Sequence, residues 1–315
     1  MFETYKPSGG FAVLAFPLMA IMCALGVGLA WLYQLAIEAI PLIIINFVIT
    51  MIFGAILGGM GRLAVKTGHV RNAAIGLVIG LVIGGSAYVA KFWFQYERIY
   101  WEQAELVAQK ANIPVEDAAE ILKENFTFWE HIKFRVENGW TLNKGAEITG
   151  IFVYLIWLIE AGIVLGISIV TPSSAAQEPY SEKLGQWADE EKVIMMLPID
   201  NPQMLEQIKT AQSVDELLSI PIPKTDETNQ FASYTINSIA GHELEDAYLT
   251  VKDVTITLDK DGNEQKAENN LVRYAVLTNE QLAQLNENAE LLNEAIQMFQ
   301  NARMAGPEYN QDPES

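Results

Sequence analysis

The sequence predicts a membrane α-helical fold: a four-span bundle with a helical extramembrane cap, joined to a soluble α+β C-terminal domain. Three observations predict it. Four apolar runs are each long enough, or nearly so, to cross the roughly 30 Å hydrocarbon core as a helix. The charge is partitioned: residues 1–170 carry a net −2, whereas residues 171–315 carry −17 of the total −19. The hydrophobic pattern also changes, from unbroken apolar runs to short strands and amphipathic helices.

The spans are taken in order. "FAVLAFPLMAIMCALGVGLAWLY" (11–33) and "PLIIINFVITMIFGAILGGMG" (41–61) contain no charge. "AAIGLVIGLVIGGSAYVA" (73–90) is shorter, and "KFWF" after it extends it as an interfacial anchor. "ITGIFVYLIWLIEAGIVLGISIV" (148–170) has Glu160 as its only charge. The first run is read as a retained span. Residues 1–10 lack a basic stretch, the run exceeds a signal-peptide core, and no small-residue cleavage site follows. Loop 62–72 holds Arg62, Lys66 and Arg71 without an acid, and loop 34–40 holds no basic residue. The positive-inside rule then puts 62–72 and both termini of this multi-pass chain in the cytoplasm.

Glycines recur at four-residue spacing: Gly54 and Gly58, then Gly76, Gly80 and Gly84, then Gly162 and Gly166. Such stripes let helix backbones approach closely in lipid. Tight bundle packing is the plain expectation; a glycine-lined pore is the sharper one.

Glu160 is the thirteenth residue of its 23-residue run, and an ionised carboxylate at mid-depth is costly. A neutral acid, hydrogen-bonded across helices to Thr50, Asn46 or Ser86, is expected. No Lys or Arg is placed at that depth, so an ion pair within the chain is not expected. Three readings stay open: interhelical glue, a proton- or cation-handling group, or a contact with a partner's membrane helix.

Residues 91–147 are too long for a bare loop. Pro114 with Glu116 and Asp117 marks a helix start, and the dense aromatics, Trp101, Trp129 and Trp140 among them, suit a membrane interface. Two or three helices capping the outer end of the bundle are predicted; the alternative is an amphipathic hairpin lying on the bilayer. The remaining boundaries are a tail at 1–10, a linker at 171–179, the acidic domain at 180–304 and a disordered tail at 305–315.

In the acidic domain, Asn201 before Pro202, Ser213 before Glu216, and Thr278 before Gln281 announce three helices. "FASYTINSI", "AYLTVKDVTITL" and "NLVRYAVL" read as strands. Leu282, Leu285, Ala289, Leu292, Ile296 and Phe299 form an a/d seam. It either packs on the sheet or, as a partner-binding seam, pairs with another helix.

Several classes of chemistry are disfavoured. The acidic balance argues against nucleic acid as a partner. The single cysteine, Cys23, permits no disulfide within the chain. "HELED" (242–246) has Asp246 where a zinc-protease motif needs its second His. "DKDGNE" looks like a calcium loop but is flanked by strands, so it reads as a hairpin turn. No catalytic set, metal site or cofactor is expected. The expected partners are membrane lipids and either another protein or a second copy of the chain.

"YKPSGG", "IPLIIINFVITMIFGAILG" and "GHVRN", together with "EPYSEKLGQW" (178–187), are similar to a family of uncharacterised bacterial multi-pass membrane proteins. The likeness covers about the first 90 residues and this decapeptide. In that family the decapeptide resembles a two-cysteine knuckle; here Ser181 and Leu184 stand at the thiol positions. The resemblance implies a bacterial inner-membrane protein and carries no activity.

Two function classes follow. The first is a non-enzymatic anchor or scaffold presenting an acidic cytoplasmic domain to a protein partner. The second is a small transporter or channel using Glu160.

Overall fold

The computed structural model describes residues 2–40, 42–123, 125–141, 147–223, 228–242 and 244–304. The reading of 305–315 as disordered lies outside the described residues. The chain divides into two compact units, one of residues 7–177 and one combining residues 1–6 with 178–315.

Among the described residues of the first unit, four helices are long and apolar enough to cross a membrane: α1 (Ala15–Ala39), α2 (Ile43–Thr67), α3 (Ala73–Ala111) and α6 (Ile151–Ala175). Their large apolar side chains point outward, with Ile44, Leu158 and Phe152 strongly exposed, while small residues and a thin core line the inside. Such an inside-out arrangement suits a lipid solvent. The Asn72 side chain caps α3, accepting from the Ala74 and Ile75 N–H groups at 3.0 and 3.3 Å. The helix then runs on past the apolar stretch to Ala111 and stops at Asn112, in the left-handed region.

Helices α4 (Val115–Lys123) and α5 (Phe128–Asn138) fold back on the distal part of α3. Ala118 and Ala119 of α4 and Ala104 and Ala108 of α3 are all buried. A reciprocal Thr127–Glu130 capping box starts α5, and Gly139, at φ 56°, ends it. A Cβ there would strike the Ile148 carbonyl oxygen, so only glycine fits. The two-residue strands β1 (Trp140–Thr141) and β2 (Glu147–Ile148) pair just before α6.

The expected linker at 171–179 is corrected: α6 continues through Ala175 with Pro172 inside it. The proline ring nests against Gly61 of α2 and Gly80 of α3, so neighbouring helices hold a residue that would otherwise end the helix.

The second unit is α+β. Its first strands, β3 (Tyr180–Ser181) and β4 (Gln186–Trp187), form a small hairpin. Four more strands, β5 (Glu190–Pro198), β6 (Gln230–Ser238), β7 (Tyr248–Leu258) and β8 (Glu264–Val276), make an antiparallel sheet in the order β5-β6-β7-β8. Helices α7 (Pro202–Thr210), α8 (Val214–Leu218) and α9 (Asn279–Met304) contribute to its core through Met204, Ile208, Leu217 and Leu285. Asn201, Ser213 and Thr278 cap these helices as their spacing predicts.

The expected free tail at 1–10 is also corrected. Residues 2–6 belong to this second unit. The Tyr5 N–H donates to the Tyr274 carbonyl and the Val276 N–H to the Glu3 carbonyl, both at 2.8 Å. Phe2 packs on the core, and Tyr5 meets Tyr248 edge to face at 5.4 Å. The segment therefore covers part of the open edge of β8, where unpaired backbone groups would otherwise invite association.

Candidate functional site

The most unusual residues of the helical unit meet in one cluster, and each of the four long helices supplies part of it. Glu160 of α6 forms an ion pair with Lys91 of α3 and also accepts a hydrogen bond from the Tyr33 hydroxyl of α1. The Tyr33 hydroxyl lies 2.9 Å from the Thr50 hydroxyl of α2. Thr50 in turn can donate to the Asn46 carbonyl one turn back, at 2.8 Å. The ammonium of Lys91 sits 4.4 Å from the Tyr88 ring centre and 4.5 Å from that of Phe92. Tyr88 donates to the Trp157 carbonyl at 2.7 Å, a second tie between α3 and α6.

The ion pair overturns the expectation that no cation reaches Glu160. Lys91 directly follows the apolar run 73–90, where it reads as an interfacial anchor. The uninterrupted α3 carries it inward instead, and its side chain is only 6% exposed against 15% for Glu160. The depth of Glu160 also shifts. It is the tenth residue of the 25-residue α6, about 14 Å from that helix's start. Tyr33 lies about 9 Å from the end of α1, and Thr50 about 10 Å from the start of α2. The cluster thus forms one layer, displaced from the middle of the bundle toward the ends marked by residues 40 and 150.

Two of the expected partners are elsewhere. Ser86 donates to the Ile83 carbonyl of its own helix at 2.9 Å. The Asn46 side-chain oxygen has no hydrogen bond, and only its backbone carbonyl touches the cluster, through Thr50. Thr50 joins through Tyr33. The residues that sequence reasoning missed are Lys91, Tyr33 and Tyr88. The available signal was a hydroxyl or amine within apolar runs, with Tyr88 and Lys91 three apart on one helical face.

Beyond this layer the glycine stripes set the packing. A Cβ on Gly80 would lie 2.1 Å from the Ser168 carbonyl oxygen and one on Gly84 2.1 Å from the Ser168 hydroxyl. Gly54 and Gly58 of α2 and Gly76 of α3 abut α6 in the same way. Gly162 and Gly166 do not: nothing lies within 4 Å of an added Cβ at either position. Their stripe faces outward, because α6 presents Val164, Ser168 and Pro172 to its neighbours.

In the α+β unit, the partner-binding seam is corrected. Leu282, Leu285, Ala289 and Leu292 are buried in the unit's own core and Ile296 packs against it, while Phe299 is half-buried. The seam is consumed by packing of α9 against β5 and α8. What α9 leaves exposed is an acidic face: Glu280, Glu287, Glu290 and Glu294, with no basic residue before Arg303.

The small β3–β4 hairpin holds the knuckle-like decapeptide. The Ser181 hydroxyl accepts the Leu184 N–H at 3.1 Å, and Leu184 packs with Ile239 and Tyr248. Hydrogen bonding and packing both contribute to this turn. The "HELED" segment is a turn in which His242 pairs with Glu245 at 3.1 Å; Glu243 lies outside the described residues. "DKDGNE" is the β7–β8 turn. Asp259 accepts from the Asp261 and Asn263 N–H groups at 2.9 and 2.8 Å, and Gly262 supplies φ 82°. Among the described residues, no group of three His, Cys, Asp or Glu is placed to hold a metal ion.

Compared with known proteins, the chain matches no family model, no curated protein and no solved structure.

Proposed function

We propose that the chain is a non-enzymatic multi-pass anchor of a bacterial inner membrane. It holds its acidic α+β unit at the cytoplasmic face for a protein partner. One observation carries this reading: residues 2–6 and 178–304 fold into one unit. If the intervening segment crosses a bilayer, it must cross an even number of times, as four spans do. The basic loop 62–72 supports the cytoplasmic side. The polar cluster supports a structural role for the membrane half, since it ties α1, α2, α3 and α6 at a single layer. The exposed acids of α9 support a basic partner. Like charges three and four apart cost helix stability unless something neutralises them.

The test combines topology and binding in the full-length protein. Reporters fused to the two ends should both face the cytoplasm. Crosslinking in native membranes should capture a partner whose retention falls with salt and with the triple change Glu287→Lys, Glu290→Lys, Glu294→Lys. Ends on opposite sides, or capture indifferent to both salt and charge reversal, would refute the proposal.

The second reading, proton or cation handling at Glu160, is favoured by the buried charge pair. It is opposed by the backbone-close packing of α2, α3 and α6 beyond the pair, which leaves little room for an aqueous path. Glu160→Gln separates the two readings. A transporter loses pH-dependent flux in liposomes while still assembling, whereas an anchor loses assembly.

A further inference from the structure

A cleft of about 200 Å³ opens between α1 and α3 on the 40–42 side of the polar layer. Its wall changes character along its length. Trp31 and Leu35 of α1 and Phe94 of α3 make one part apolar, whereas Glu38, Glu97 and Arg98 make the next part charged, with Trp101 about one turn beyond Arg98 at the rim. The Arg98 side chain is 43% exposed even though it pairs with Glu38 and, at 3.3 Å, with Glu102. Glu38 is fixed from the other side by the Gln34 amide at 2.8 Å. Glu97 makes no ion pair among the described residues.

From these groups, and on the membrane reading above, we infer that the cleft seats a phospholipid with a primary-amine headgroup. Arg98 takes the phosphate, Glu97 the ammonium, and Trp31, Leu35 and Phe94 line the start of the acyl chains. Three features fit this occupant. The apolar-to-charged order along the cleft follows the order of acyl chain and headgroup across half a bilayer. A guanidinium with free donors matches phosphate oxygens. The neighbouring unpaired carboxylate separates an aminophospholipid from an anionic one, whose headgroup it would repel.

The test uses the full-length protein in nanodiscs of mixed phosphatidylcholine, phosphatidylglycerol and phosphatidylethanolamine, with a photoactivatable phosphatidylethanolamine as probe. Crosslinks should map to the second half of α1 and to residues 94–101 of α3. Glu97→Gln, an exposed change, should lower the preference for the amine lipid about tenfold, whereas Arg98→Ala should lower labelling by amine and glycerol lipids alike. Equal labelling by amine and glycerol headgroups, or preference unchanged in Glu97→Gln, would overturn the assignment. So would displacement by millimolar soluble phosphoethanolamine, which would make the ligand a soluble one. A chain that stays out of nanodiscs altogether overturns the membrane reading itself, and this lipid with it.

Discussion

The two units handle polar groups in opposite ways. In the α+β unit, buried hydroxyls such as Ser233, Thr235 and Thr250 are spread along the sheet, and charge is kept on the outside. The core there is large and apolar, from Met195 to Leu292. In the helical unit many large apolar side chains face outward, and the inside combines close-packed glycine and alanine with a thinner apolar core, Phe53, Leu57 and Ile83 among it, and the Lys91–Glu160 pair. The lesson concerns what drives each half together. Apolar burial holds the α+β unit in water. In a bilayer, helices already surrounded by hydrocarbon would gain little from it and would rely on close backbone contact and polar ties.

The sharpest break of that contrast is at the ion pair. Lys91→Met or Glu160→Leu alone strands a charge and should destabilise the helical unit by about 3–5 kcal/mol. The double change should recover most of the loss, because it removes both charges together. Thermal unfolding of the four variants in bicelles measures the coupling, and additive losses would show that the pair is not a unit. An equivalent loss is expected in the other unit from Leu285→Ala, at about 2–5 kcal/mol, by cavity formation in a water-driven core.

Glycine substitutions come next. Gly80→Ala must push α3 off the Ser168 carbonyl and should cost about 1–3 kcal/mol. Gly162→Ala meets nothing and should change stability by less than about 0.5 kcal/mol. Equal effects at the two positions would mean that the helices pack on different faces from those described.

Removing residues 2–6 should lower the melting temperature of the α+β unit and leave the helical unit's transition in place, since Phe2 and the paired edge are lost from the first alone. Separate transitions by calorimetry would show this; a drop confined to the helical unit would contradict it.

At neutral pH no effect is expected from titration of His131, which acts on stability only in acid. Both ring nitrogens are buried without a hydrogen bond, and Tyr96 and Phe126 lie against the ring. Burial, aided by the nearby Arg135, pulls its pKa from 6.5 down to about 4. The unfolded chain therefore binds this proton more readily than the folded one. The contribution is complete above pH 6.5 and is lost as pH falls from there towards 4. His131→Phe should flatten that acid limb in a pH series of melting temperatures, and an unchanged slope would refute the assignment.

Much was legible in the sequence because it is local. Each apolar run is written in consecutive residues, and each cap in residues three apart, as with Thr278 and Gln281. The four-residue glycine spacing is equally local, but its facing is not: the same pattern packs at Gly76 and Gly80 and lies open at Gly162 and Gly166. Ser86 and Asn46 looked as able as Thr50 to reach Glu160. Only helix rotation, fixed by neighbours far away in the chain, decides which side chain points inward.

The sequence alone determined the four long helices, the acidic α+β region after them, the helix starts and the β7–β8 turn, since propensity, period and capping act over a few residues. Tertiary structure decided that Lys91 neutralises Glu160, that the α9 seam is spent on its own sheet, that Pro172 stays helical and that residues 2–6 join a domain beginning near residue 178. Each of these pairs groups that are distant in the chain, and their free energy depends on which helix faces and strand edges meet.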